Sequence, residues 1–175
     1  MANWQNLQQQ LRAVILFAKE GALRPSEQRI KSEFVFAPNM LYILRFAPIE
    51  WLSDLFAAAI YPDVQEILGR PNFQATNLLS IPCRPISDYN QREIYCDHIT
   101  KLLDMSLYLG RGTRVVGGVG ARIKEYALVK RISRLTNTEY HSLPLRTAVE
   151  LDSIMHIRLL AKFDPSYAPV TVVLL

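Results

Sequence analysis

Residues 88–109 read DYNQREIYCDHITKLLDMSLYL, and whether they form helix or strand decides the architecture of the chain. Asp88, with Gln91 three residues on, predicts a helix start in which side chains satisfy the first backbone N–H groups. Tyr95, Ile99, Leu102, Leu103 and Leu109 follow at helical spacing and predict a buried face. Gly110 and Gly112 then predict its end.

The neighbouring segments extend this reading. Trp4, Leu7, Leu11, Val14, Ile15 and Ala18 recur every three or four residues, predicting an amphipathic helix over 3–20 that Gly21 ends. Pro48 can occupy the first turn of a helix through Trp51, Leu52, Leu55, Phe56 and Ala59. Pro62 restarts it as a short helix stopping at Gly69. Glu33–Phe36 and Met40–Phe46 are apolar runs split by Pro38. They are rich enough in aromatic and branched residues to read as strands, although run length alone does not exclude buried helix. Three prolines within 70–87 (Pro71, Pro82 and Pro85) forbid continuous helix there and predict a long connection with one extended piece at Leu78–Ile81. Further helices are expected over 121–135 and 145–163. The fold class is therefore mainly α, a single-domain helical bundle of five to six helices spanning 1–175. Its minor β component comprises candidate strands near 33–46 and 169–175.

Length and composition suit this picture. The chain has 175 residues, half of them hydrophobic and 21% charged, enough for a sizeable core and too apolar for disorder. Two cysteines, Cys83 and Cys96, make no disulfide framework and suit a reducing compartment. No run approaches the ~20 apolar residues of a membrane span. The N-terminus lacks a basic stretch followed by an apolar one, so no secretory signal is expected. The expected location is the cytoplasm.

Charge is distributed far less evenly. Arg111–Arg134 reads RGTRVVGGVGARIKEYALVKRISR, with seven Lys or Arg against one acid, Glu125. This segment carries +6, and the remaining thirteen bases and fifteen acids leave −2. Five of the seven glycines lie between Gly110 and Gly120. On a helical wheel Lys124, Lys130, Arg131 and Arg134 share one third of the circumference, opposite Leu128, Val129, Ile132 and Leu135. One face can dock while the other meets solvent. Gly117, Gly118 and Gly120 upstream would let an anion approach free N–H groups, with Arg111, Arg114 and Arg122 flanking it. A competing reading makes Val115–Val119 a two-residue hairpin, still basic. In either form the segment is often no more than a solvated surface and a turn. Its functional reading is contact with the phosphate backbone of nucleic acid, RNA or DNA, with little base preference. Tyr108 and Tyr126 are candidates to stack on bases, though tyrosines beside helices are more often core.

Nucleotide motifs fail on inspection. Gly112–Gly117 has the phosphate-loop spacing, but Gly118-Val119 stands where Lys-Ser or Lys-Thr is required. Gly110-x-Gly112 meets Val115 in place of the third glycine of the dinucleotide fingerprint.

No constellation points to an enzyme. Cys96 and His98 of Cys96-Asp97-His98 would diverge on a helix, so Cys96 reads as a small buried hydrophobe. Cys83, Cys96, His98, His141 and His156 lack paired ligand spacing, so no metal is expected, and no cofactor. Asp152 and His156 read as a helix-stabilising pair, with Ser153 on the same face. Glu50 and Asp54 read as first-turn acids favoured by the helix dipole.

The chain finishes with Val170, Val172, Val173, Leu174 and Leu175 after Pro169. Left in water, this strand-prone tail would be a sticky edge, so burial on its own domain or strand addition to another subunit is expected. The expectation is a non-enzymatic, self-assembling, nucleic-acid-binding subunit of coat, nucleocapsid or packaging type, forming a homo-oligomer or part of a larger assembly. The alternative is an adaptor whose basic face binds an acidic protein partner.

Overall fold

A computed structural model of the protein describes residues 2–23, 38–85, 93–101, 104–112, 117, 119–121, 123–124, 154–164 and 166. The chain divides into two compact units: Met1–Phe73 with Ser166–Leu175, and Gln74–Pro165.

The first unit is helical. It contains α1 (Ala2–Leu23), α2 (Pro38–Phe46), α3 (Ile49–Ala59) and α4 (Pro62–Leu68). Leu7 and Ile15 bury the expected face of α1. The helix runs through Gly21 rather than ending there; one glycine costs only about 1 kcal/mol, and tertiary contacts hold this end. Lys19 Nζ donates to the carbonyls of Leu44 and Ala47, placing a cation on the free carbonyls at the end of α2.

α2 corrects the candidate strand near 33–46 for the residues from 38 onward; those before it lie outside the described residues. The apolar run is one-sided at helical spacing. Leu44 is buried, Met40 and Ile43 are half-buried, and Tyr42 and Phe46 lie one turn apart with ring centroids 4.8 Å apart and planes tilted by 49°.

Proline marks the next two starts as expected. Pro48 is extended (φ −60°, ψ 145°) just before α3, and Pro62 is the first residue of α4, which ends at Gly69. α3 buries Leu52, Leu55, Ala57 and Ala59. Gln65 Nε2 donates to the carbonyls of Ala57 at 2.9 Å and Ile60 at 2.8 Å. It thereby satisfies carbonyls that the end of α3 leaves without helical partners. Asn6 Nδ2 donates to Gly69 O at 2.7 Å, tying α1 to the end of α4.

The second unit is built on a sheet, and here the helical bundle fails as a description. β1 (Glu93–Lys101), β2 (Asp104–Gly112) and β3 (Ile154–Lys162) form an antiparallel sheet in the order β2-β1-β3. The helix expected over 88–109 is therefore a pair of strands across the described residues, and the one expected over 145–163 is strand across 154–162. The physical reason lies in β1, which is central and buried on both faces. Tyr95, Asp97 and Ile99 are buried on one side, Cys96 and His98 on the other. Such a strand shows no alternation of polar and apolar residues, and Tyr95 and Ile99 happen also to match helical spacing.

Gly110 and Gly112, read as helix breakers, lie within β2 opposite Tyr95 and Glu93. A short 3-10 helix, Ala75–Ser80, replaces the extended piece expected at Leu78–Ile81. Asn77 Oδ1 accepts from the Gln74 N–H at 2.8 Å to cap it. Helix thus predominates among the described residues, alongside a three-stranded sheet. No helix among them is long and apolar enough to cross a membrane.

Candidate functional site

The basic segment begins on β2. Arg111 is exposed near the end of that strand. Gly117 takes φ +84°, the left-handed region that favours glycine. Its carbonyl accepts from the Ala121 N–H at 2.8 Å, closing a helical turn. Val119 is helical and fully buried, so the hairpin reading of 115–119 does not hold at its last residue. Gly120 is helical and buried, and Lys124 is helical and exposed. Arg114, Arg122, Lys130, Arg131, Arg134 and Gly118 lie outside the described residues, as do Asp152 and Ser153. The tail residues Val170, Val172, Val173, Leu174 and Leu175 lie outside them too. Among the described residues no acid forms an ion pair with Arg111 or Lys124.

The sheet brings together residues that the helical reading kept apart. On a strand, residues i and i+2 share a face, so Cys96 and His98 point the same way, with Sγ and Nδ1 3.9 Å apart. His98 lies in register with His156 and Cys96 with Arg158. The same face carries Leu107, Leu109 and Arg111 of β2, in register with His98, Cys96 and Ile94. The acids of β1, Glu93 and Asp97, belong to the opposite face.

Protonation states follow from burial and geometry. His98 Nε2 is 3.3 Å from Ala75 O. A carbonyl only accepts, so Nε2 carries the hydrogen and Nδ1 is left to accept from the Cys96 thiol. Burial lowers the pKa of His98 against the raising effect of the Ala75 carbonyl, and the charges of Arg158 and His156 lower it further. Burial pushes the Cys96 thiol up to about 11 against the lowering influence of Arg158. The pair is therefore neutral thiol and neutral imidazole, whereas a cysteine nucleophile acts as thiolate. Among the described residues no group of three or more His, Cys, Asp or Glu could hold a metal ion.

A pH dependence follows. The unfolded chain protonates His98 near pH 6.5, while the folded chain resists protonation. Its contribution to stability is therefore complete above that value and is lost progressively as pH falls from there through the lower folded-state value. Urea unfolding at about pH 5 and about pH 7.5 is expected to give the lower midpoint at acid pH. His98→Gln, whose amide can still donate to Ala75 O, should flatten that difference; an unchanged difference would assign it to other groups.

Scans against protein-family models, curated proteins and solved structures return no match to this chain.

Proposed function

We propose that this chain binds nucleic acid through its basic segment 111–134 and self-assembles, as a coat, nucleocapsid or packaging-type subunit that performs no catalysis. One observation carries the binding half. Seven cations stand against a single acid in that segment, and its two described cationic side chains, Arg111 and Lys124, are exposed without an ion pair among the described residues. Clustered, uncompensated positive charge attracts a polyanion over the Debye length and gains further from counterion release. The assembly half rests on the apolar tail 169–175.

Binding to labelled RNA and DNA, titrated against salt, tests this reading. Affinity is expected to fall with a log–log slope of about −2 or steeper, the mark of three or more neutralised phosphates. Changing Lys130, Arg131 and Arg134 together to Glu should weaken binding by well over tenfold at low salt. Binding that survives the triple change moves the site elsewhere. No affinity at low salt removes the reading and leaves an acidic protein as the partner. Light scattering on the same samples reports the number of subunits, and a monomer under all conditions removes the assembly half.

A further inference from the structure

The 3-10 helix Ala75–Ser80 lies against the Cys96–His98 face of the sheet. It belongs to the same compact unit, packs on β3, and brings Ala75 O to 3.3 Å from His98 Nε2. Cys96 and His98 are both 0% accessible. Leu78 within the helix and Ile81 just after it are buried and hold the segment down. Its anchorage along the chain is weaker. Residues 69–74 before it and 81–85 after it are neither helix nor strand, and 3-10 geometry makes poorer hydrogen bonds than an α-helix. β1, by contrast, is bonded along its length to β2 and β3. Local opening starts where the backbone is least supported, which here is the 3-10 segment.

The surroundings of His98 suit only a neutral imidazole. β3 presents His156, in register with it, and Arg158 two residues further along the same face. β2 presents Leu107 in register, with Leu109 and Arg111 beyond. On β1 itself the neighbour is the Cys96 thiol, while Glu93 and Asp97 belong to the opposite face. The 3-10 helix, ATNLLS, has no titratable residue, and the residues after it add exposed Cys83 and half-buried Arg84. β3 contains no acid, and the only acid of β2, Asp104, is in register with Lys101. Among the described residues of these elements no carboxylate faces the ring.

We propose that residues 74–81 form an acid-sensitive strap: protonation of His98 releases this segment from the sheet while the three strands and the helical unit stay folded. Nε2 donates to Ala75 O in either protonation state. The second proton arrives on Nδ1, 3.9 Å from Cys96 Sγ, and puts a buried charge among cations. Such a charge is costly until water reaches it. Lifting the strap admits water without breaking a strand pair.

The thiol beneath the strap provides the test. In a Cys83→Ser chain, Cys96 is the only thiol, and 4,4′-dithiodipyridine reports its exposure. Dividing each rate by that of the urea-unfolded chain at the same pH removes the intrinsic reactivity of the thiol. Protection of Cys96 is expected to fall about tenfold between pH 7.5 and pH 5. Both tryptophans, Trp4 and Trp51, lie in the helical unit, so their fluorescence should not change. His98→Gln should make the protection independent of pH. Hydrogen exchange on the chain without the His98 change reads the same event: the Asn77 and Ile81 amides, bonded to Gln74 O and Leu78 O, should lose protection at pH 5 while those of β1 keep theirs. Constant protection of Cys96 across this range, or an equal fall in the His98→Gln variant, overturns the proposal. Loss of β1 protection together with the strap, or a change in tryptophan fluorescence, shows wider unfolding and overturns it as well.

Discussion

Gly69→Ala is expected to destabilise the helical unit by about 2–4 kcal/mol, through steric conflict and a lost hydrogen bond. A Cβ at this position would lie 2.0 Å from the carbonyl oxygen of Asn3, 2.6 Å from its carbonyl carbon and 3.0 Å from its Cα. These are backbone atoms in the first turn of α1, and no rotamer change moves them aside. The end of α4 would have to separate from α1, breaking the 2.7 Å hydrogen bond from Asn6 Nδ2 to Gly69 O. The backbone of Gly69 is not the difficulty, because its φ −77° and ψ −2° suit alanine well. Reduced freedom in the unfolded chain would by itself favour alanine by about 0.4–1 kcal/mol. The two effects have opposite signs, so the sign of the change identifies which one acts. Urea denaturation followed by circular dichroism reads it directly, and an unfolding midpoint at or above that of the parent protein would refute the close contact between α1 and α4.

Gly110→Ala is expected to cost about 1–3 kcal/mol in the sheet unit by overpacking. Gly110 is in register with Tyr95, and a Cβ there would lie 2.3 Å from Cζ, 2.4 Å from Oη and 2.7 Å from Cε1 of that ring. The ring thus lies across the glycine, a cross-strand arrangement in which an aromatic covers backbone that would otherwise be bare. Tyr95 is only 1% accessible, so the ring cannot swing out without opening the core. A double-mutant cycle isolates the effect. Tyr95→Ala is costly alone because it empties a core site. Combined with Gly110→Ala it should cost less than the two separate changes by at least about 1 kcal/mol, since the new methyl group then has room. Strict additivity would show that the ring does not lie over Gly110.

The helical unit was legible because its physics is local. Leu7 and Ile15 recur at the spacing that puts them on one side of α1, and Pro48 and Pro62 are tolerated at a helix start but costly in its interior. Gly69 stops α4 where the pattern ends. Met40–Phe46 misled because aromatic and branched residues suit a strand and a one-sided helix alike, and only the burial of Leu44 beneath exposed Tyr42 and Phe46 distinguishes them. The sheet misled for a different reason. Leu102-Leu103, the two residues joining β1 to β2, have none of the Asn-Gly or Asp-Gly character that announces a tight hairpin. The clearest available signal was LYLGRG at 107–112, where large residues alternate with Gly110 and Gly112 as they would along a strand. Taking the glycines as a stop hid it.

The Cys96–His98–His156–Arg158 grouping was lost by the same error. Cys96 and His98 diverge on a helix and share a face on a strand, while His156 and Arg158 are more than fifty residues away in sequence.

Composition and short-range pattern thus determined where charge concentrates along the chain and where three of its helices begin, because electrostatic and steric rules act between near neighbours. Which strand lies in the middle of the sheet, which of its two faces carries the cations, and which imidazole meets which thiol were decided only by tertiary structure. Those features depend on the register of segments far apart in the chain, and pairing energy between distant strands leaves no periodic trace in either segment alone.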